Sequence, residues 1–381
     1  MKPLENITVI DFSSNLPGPL CSSILIQLGA RVIKVESPDG DPFRHSGEMW
    51  TSLNLGKESV SVNLKTESGK KLVTDLVRIA DIVIEGWRPG VAARLGVDYT
   101  SLKKVNDKLI YCSISGYGQN GPWSDRTGHD VNYLASSGYY SIDNNAENLE
   151  PPTILLADVS SGFYACILIL SYLPYQNQNQ QGCYIDLSMA ESVLSLLNLE
   201  FVKHHSNSPF KGKPNVTHLP HYNIFKCADD LWITLGIVDE NHFWKQFCDV
   251  TGLNDMGNWD LDKRIKNAQL ISNKLTKLFF SRTAKEWEHL LLNVNVPVAV
   301  VNTIEEVINN PQFAYRGIWS EYNDFHFAGL PAVINSQNFK ISVKAPVLGE
   351  HTDKIVKELH YSEEQIDKIN DEKSTLLPLK Y

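Results

Sequence analysis

Ile7-Thr8-Val9-Ile10, a helix-length stretch from about Leu20 to Leu28, and Arg31-Val32-Ile33-Lys34-Val35-Glu36 follow one another at the start of the chain. Two β-branched runs separated by a helix form a strand–helix–strand unit, whose crossover makes neighbouring strands parallel. The alternation continues through strand candidates Val60–Asn63, Ile82–Glu85 and Leu109–Ile114, with a helix near Ser68–Ile79 between the first two. The expected class is α/β, a parallel sheet with crossover helices.

The pattern then changes. An apolar helix is expected over Ser160–Leu173, ended by Pro174, with the polar run Gln176–Gln181 as a surface loop. A second long helix, about Met189–Lys203, leads into Ser208–His221, which lacks periodicity and marks a domain boundary. A smaller α+β unit follows, with strands at Leu231–Gly236 and Val296–Val301 and helices around Phe243–Val250 and Ala284–Leu292. Residues 330–350 read as extended, before a charged helix over Thr352–Leu359.

At roughly 150 residues per domain, 381 residues point to two or three domains. With 43% hydrophobic and 21% charged residues, the composition is that of a packed globular protein. A chain this long buries on the order of 75% of its unfolded surface, so stability requires no disulfide or structural metal. A net charge of -9 argues against nucleic acid as the main partner, and any anionic ligand must be held by a local cluster of cations. The six scattered cysteines contain no CxxC pair and read as reduced thiols, which suggests the cytoplasm. No signal peptide is expected, and the longest apolar stretch, Phe163–Leu173, is too short to span a bilayer.

Two motifs mislead. Gly116-Tyr117-Gly118-Gln119-Asn120-Gly121 matches the dinucleotide fingerprint, but Pro122-Trp123-Ser124-Asp125 follows where a helix should open on the pyrophosphate. His204, His205, His218, His221 and Cys227 fit no standard metal-ligand spacing, so no metal is expected. The informative constellation is Gly128-His129-Asp130-Val131-Asn132-Tyr133 with Asp158 at the start of the apolar helix. Taken alone, His129 reads as either a structural or an acid/base histidine, and Asp158 as either an N-cap or a functional carboxylate. Amides beside Asp158 at a helix N-terminus would favour a neighbouring enolate oxygen.

These residues sit within a longer ordered set: Leu16-Pro17-Gly18-Pro19-Leu20-Cys21, Leu28–Glu36 with Gly40-Asp41 and Arg44, and Asn54-Leu55-Gly56-Lys57. Further on come Ala80-Asp81-Ile82-Val83-Ile84-Glu85-Gly86-Trp87-Arg88-Pro89-Gly90-Val91, Ser115–Pro122, Val296–Asn302, Arg316-Gly317 and Ala345–Thr352. Over nearly its whole length the chain resembles the class III CoA-transferase and α-methylacyl-CoA racemase family, of CaiB/BaiF type. The resemblance implies a Rossmann-like large domain, residues 1–205 plus 325–381, a small α+β domain, residues 206–324, and an interlocked homodimer. It also implies an acyl-CoA thioester as substrate, no prosthetic group, and neither nucleic acid nor membrane as a partner.

In the transferase branch the aspartate at the position of Asp158 carries acyl intermediates. In the racemase branch that aspartate and a Gly-His-Asp histidine exchange the proton on the carbon next to the thioester. Gly128-His129-Asp130 resembles the racemase form, which favours that branch and adds Asp130 to the catalytic set. Inversion needs a base on one face and a conjugate acid on the other, which His129 and Asp158 supply. Racemases carry a glycine run where Val159-Ser160-Ser161-Gly162 stands here, and transferases a glycine-rich loop with no counterpart in residues 205–265. The resemblance assigns Glu240 or Asp239 to orienting the histidine. It assigns Lys65, Arg88 and Arg94 to the CoA phosphates, Trp87 to a flat contact, and Pro17, Val62 and Gly86 to the lining of the CoA site.

Overall fold

The structure is a computed structural model describing residues 2–142, 149–205, 216–322, 325–341 and 343–374. Much of the unpatterned Ser208–His221 stretch lies outside the described residues. Six strands, β1 (Thr8–Asp11), β2 (Arg31–Glu36), β3 (Glu58–Ser61), β4 (Ile82–Glu85), β5 (Ile110–Ser115) and β6 (Cys183–Ser188), form one parallel sheet ordered β3-β2-β1-β4-β5-β6. Successive strand residues face opposite sides, so both faces are covered: Val9, Val32 and Ile84 join one core, and Ile10, Ile33 and Val83 join the other. Helices Pro17–Gln27 and Leu156–Asn179 cover the first face, and Glu67–Arg78 with two C-terminal helices, Thr352–Glu358 and Glu363–Ser374, the second.

β2 and β4 lie where the sequence places them, and β3 begins two residues earlier than expected. β6 has no counterpart among the expected strands. It is an edge strand, and exposed Tyr184 and Asp186 alternate with buried Ile185 and Leu187. Pro174 does not end its helix, which runs from Leu156 to Asn179, so most of the expected polar loop is helical. A proline there removes one helical hydrogen bond. The deficit is offset where buried Gln176 donates Nε2 to the Lys108 carbonyl at 2.6 Å and ties the helix to the sheet. At 24 residues this helix is long and apolar enough to cross a bilayer, which corrects the length read from Phe163–Leu173, yet Ala165, Cys166, Ile169 and Leu173 are in the core. The expected Met189–Lys203 helix is two, Met189–Leu196 and Asn198–His204.

The chain divides into two compact units, Met1–Phe201 with Ala314–Tyr381, and Val202–Phe313. In the second unit, β7 (Tyr222–Lys226), β8 (Trp232–Gly236) and β9 (Val298–Val300) form an antiparallel sheet, against a core including Trp244, Phe247, Phe279 and Trp287. In the first, the returning C-terminal segment closes the β3 edge. The His351 N–H donates to the Ser59 carbonyl at 2.9 Å, and the Ser61 N–H donates to Thr352 Oγ1 at 3.2 Å.

Charges are buried under the C-terminal ends of β1 and β2. Lys57 Nζ lies 3.1 Å from Asp11 Oδ2, and Lys34 Nζ lies 3.0 Å from Asp41 Oδ2. Burial alone would raise the Asp11 carboxyl, but Lys57 and Lys34 pull it down to about 2, while burial pushes Lys57 down to about 8. Lys57→Met strands the Asp11 charge. Its expected cost is about 3 kcal/mol in denaturant unfolding, the low end for a broken buried pair, because Lys34 remains nearby.

Candidate active site

In a sheet of this order the connections after β1 and β4 leave in opposite directions, and a crevice opens at the C-terminal ends of these strands. Two cavities lie there. The larger, about 750 Å³, is lined by residues including Pro17, Gly86, Arg88, His129, Tyr133 and Asp158. The smaller, about 280 Å³, is lined by residues including Phe12, Ser37, Val62, Lys65 and Leu95. Ser14 and Trp87 line both.

Trp87 is placed by the turn that ends β4. Its N–H donates to Glu85 Oε2 at 2.7 Å, and its ring rests 5.4 Å from that of Phe12. Arg88 is exposed into the larger cavity. Arg94 is exposed on the short Val91–Leu95 helix and lines neither cavity.

His129 is the N-cap residue of the Asp130–Ser136 helix, where its N–H donates to Asn132 Oδ1 at 3.0 Å. The next side chain points elsewhere. Buried Asp130 Oδ2 accepts the Ala157 N–H at 2.7 Å and the Asp158 N–H at 3.2 Å, capping the helix that carries Asp158. One dipeptide therefore sets His129 at the cavity wall and fixes the helix that brings Asp158 to the same cavity. Because Asp130 holds these amides, they are not available to an enolate oxygen, which corrects the donor role expected of them. Asp158 is half-buried, and burial first, then the Asp130 charge, pushes its carboxyl up to about 7.

Nearby sequence features have mechanical reasons. Gly162 packs against the Pro17–Gln27 helix so closely that a Cβ would lie 2.8 Å from the Pro17 carbonyl oxygen. Ser161 Oγ donates back to the Ala157 carbonyl at 2.5 Å. In the false dinucleotide motif, Gly116 leaves room for the Tyr133 ring, and turns rather than a helix follow Gly121. Among the described residues, no three His, Cys, Asp or Glu side chains converge to hold a metal.

Glu240 and Asp239 belong to the Val202–Phe313 unit. Glu240 Oε2 accepts the Val238 N–H at 2.9 Å, and those backbone bonds draw its carboxyl below the usual range. Buried Arg264 donates to the Val238 carbonyl at 3.1 Å and to Asn241 Oδ1 at 3.0 Å, bracing the same turn. Sequence reading missed Arg126, which lines the larger cavity with its guanidinium 4.1 Å over the Trp123 ring. It also missed Glu85. Neither belongs to a periodic or ligand-spacing pattern.

The crevice at the strand-order reversal holds a histidine and a carboxyl poised near neutrality, an arrangement capable of acid/base or acyl-transfer chemistry. The model of CoA-transferase family III matches residues 4–352, and the chain belongs to this family, which works on CoA substrates without a prosthetic group. It is 30% identical to the succinyl-CoA:glutarate CoA-transferase of Mus musculus, with 97% of this chain and 89% of the relative covered. It is also 30% identical to the alpha-methylacyl-CoA racemase of Homo sapiens, with 97% of each covered. A CAIB/BAIF family protein from Brucella suis superposes with a TM-score of 0.84 at 26% identity, covering 94% of this chain and 99% of that one.

Two outcomes test this electrostatic arrangement. Asp130→Asn keeps an acceptor for the helix amides but removes a charge, so an NMR titration of Asp158 should show its midpoint below 7; an unmoved midpoint refutes the coupling. The folded-state value of Asp158 lies above its ordinary 3.8, so the group favours the fold below about pH 4 and costs stability as pH rises through 7. Asp158→Asn should therefore melt higher than the parent protein at pH 8, and no higher at pH 4.

Proposed function

We propose that this protein inverts the C2 centre of a 2-methylacyl-CoA thioester, as a racemase or epimerase, by 1,1-proton transfer through an enolate. The observation that carries this reading is that His129 and Asp158 line one cavity, with the Asp158 carboxyl near 7. A carboxyl that populates both protonation states at neutral pH suits a group that must serve as base for one enantiomer and acid for the other. For one, the neutral His129 imidazole takes the C2 proton and protonated Asp158 delivers another to the opposite face. For the other enantiomer the roles reverse.

The nucleotide part of the substrate fits the smaller cavity, with Lys65 and Arg88 facing its phosphates and Trp87 flat against it. Arg94, outside both cavities, would meet only a phosphate that reaches past them. Asp130 acts through Asp158. Self-association fits the exposed apolar residues Phe163, Ile167, Leu196, Leu199 and Phe201.

The second reading is a CoA-transferase in which the Asp158 carboxylate attacks the acyl-CoA carbonyl, expels CoA thiolate and carries the acyl group as an anhydride. Relatives named as CoA-transferases, such as the mouse protein, favour it. Incubation with (R)- or (S)-2-methylacyl-CoA in heavy water, without acceptor acid, separates the two. Deuterium at C2 with inversion supports the racemase. No exchange, with hydroxylamine-trappable acyl-enzyme and transfer of CoA to an added carboxylate, establishes the transferase instead. His129→Ala should abolish exchange from at least one enantiomer.

The equilibrium between the two enantiomers does not depend on pH, and the His129–Asp158 pair carries one proton in either direction, so kcat/KM for both enantiomers should follow one profile. That shared profile should bend near pH 7, where Asp158 titrates. Profiles that stay flat across roughly pH 6 to 8 would remove Asp158 from the proton transfer.

A further inference from the structure

We propose that Glu85 is a positioning residue for the CoA site: its buried carboxylate, at the end of β4, fixes the Trp87-Arg88 turn by accepting the Trp87 N–H. This rests on the reading above that Trp87 and Arg88 hold the nucleotide part of the substrate.

Glu85 is 3% exposed, and no lysine or arginine lies within ion-pair distance of it among the described residues. Its neighbours add no compensation. Asp186, facing it from β6, repels it, and Tyr111, Cys112 and Tyr184 nearby carry no positive charge. An unpaired buried carboxylate costs a fold stability, and burial pushes this one up to about 7.

Its oxygens are nevertheless both committed. Oε2 accepts the Trp87 N–H at 2.7 Å, and Oε1 accepts the hydroxyl of Ser113 on β5. Ser113 Oγ in turn accepts Gln119 Nε2 at 2.7 Å, and the Gln119 N–H donates to Asp186 Oδ1 at 3.0 Å. This chain links the ends of β4, β5 and β6 and delivers one outcome at the cavities, the orientation of the peptide at residue 87. The Trp87 ring forms part of the wall of both cavities, and the next side chain, Arg88, enters the larger one. A leucine would fill the space without the electrostatic cost but could not hold that amide.

The test compares Glu85→Leu, which cannot accept the bond, with Glu85→Gln, which can. Glu85→Leu should raise the KM for acyl-CoA and the calorimetric Kd for free CoA about tenfold or more, the size of one hydrogen bond to a charged group. It should leave kcat within about threefold and the melting temperature unchanged or higher. Glu85→Gln should bring KM and Kd back to within about threefold of the parent. The inference is overturned by a Leu variant with unchanged KM and Kd, by one that fails to fold or melts well below the parent, or by a Gln variant that does not restore binding. Trp87→Ala and Arg88→Ala serve as the control: if both leave the Kd for CoA unchanged, the reading of the nucleotide site fails instead.

Discussion

The site depends on the reversal of strand order between β1 and β4. Parallel strands need crossover connections, and where successive crossovers leave in opposite directions no segment covers the strand ends. The first unit uses that gap twice. The segment after β1 and the turn after β4 form the walls, and the Asp130–Ser136 helix brings in His129. Asp130 then converts a gap into a site. By capping the Leu156–Asn179 helix it fixes the distance between two segments that the sequence keeps apart, and its charge raises the group it positions.

The cations around the crevice of this acidic chain divide into two groups. Lys34, Lys57 and Arg44 stand close under the crevice but are spent on Asp41, Asp11 and Glu36. They set the shape of the strand ends and present no free charge to a ligand. Lys65, Arg88 and Arg126 are exposed along the cavities instead. Net charge therefore says little about this site, where local geometry overrides the sum over the whole chain.

Much of the sheet was legible because burial on both faces leaves strands as short, nearly unbroken β-branched runs, as in β2 and β4. β6 was not, since an edge strand keeps one polar face and merges with the glutamine-rich segment before it. Pro174 misled because a local rule about helix ends was outweighed by a tertiary bond from Gln176. Within the site, His129 and Asp158 stood out through their motif. The partner of Asp130 did not, because nothing in Gly128-His129-Asp130 encodes which distant amides a carboxylate will reach. Glu85 was hidden for another reason: it sits where a strand ends and reads simply as the last residue of β4.

The bonds that join His351 and Thr352 to Ser59 and Ser61 also govern the order in which the molecule can be completed. At synthesis rates of 5–20 residues per second, the segment that seals β3 leaves the ribosome on the order of half a minute after β3 itself. Throughout that interval the edge of the main sheet is open, while the whole Val202–Phe313 unit is made and free to fold. The main sheet thus begins first and finishes last, and its unsealed edge is a period of exposure in which chaperone contact or pairing with another nascent chain competes with the molecule's own C-terminus.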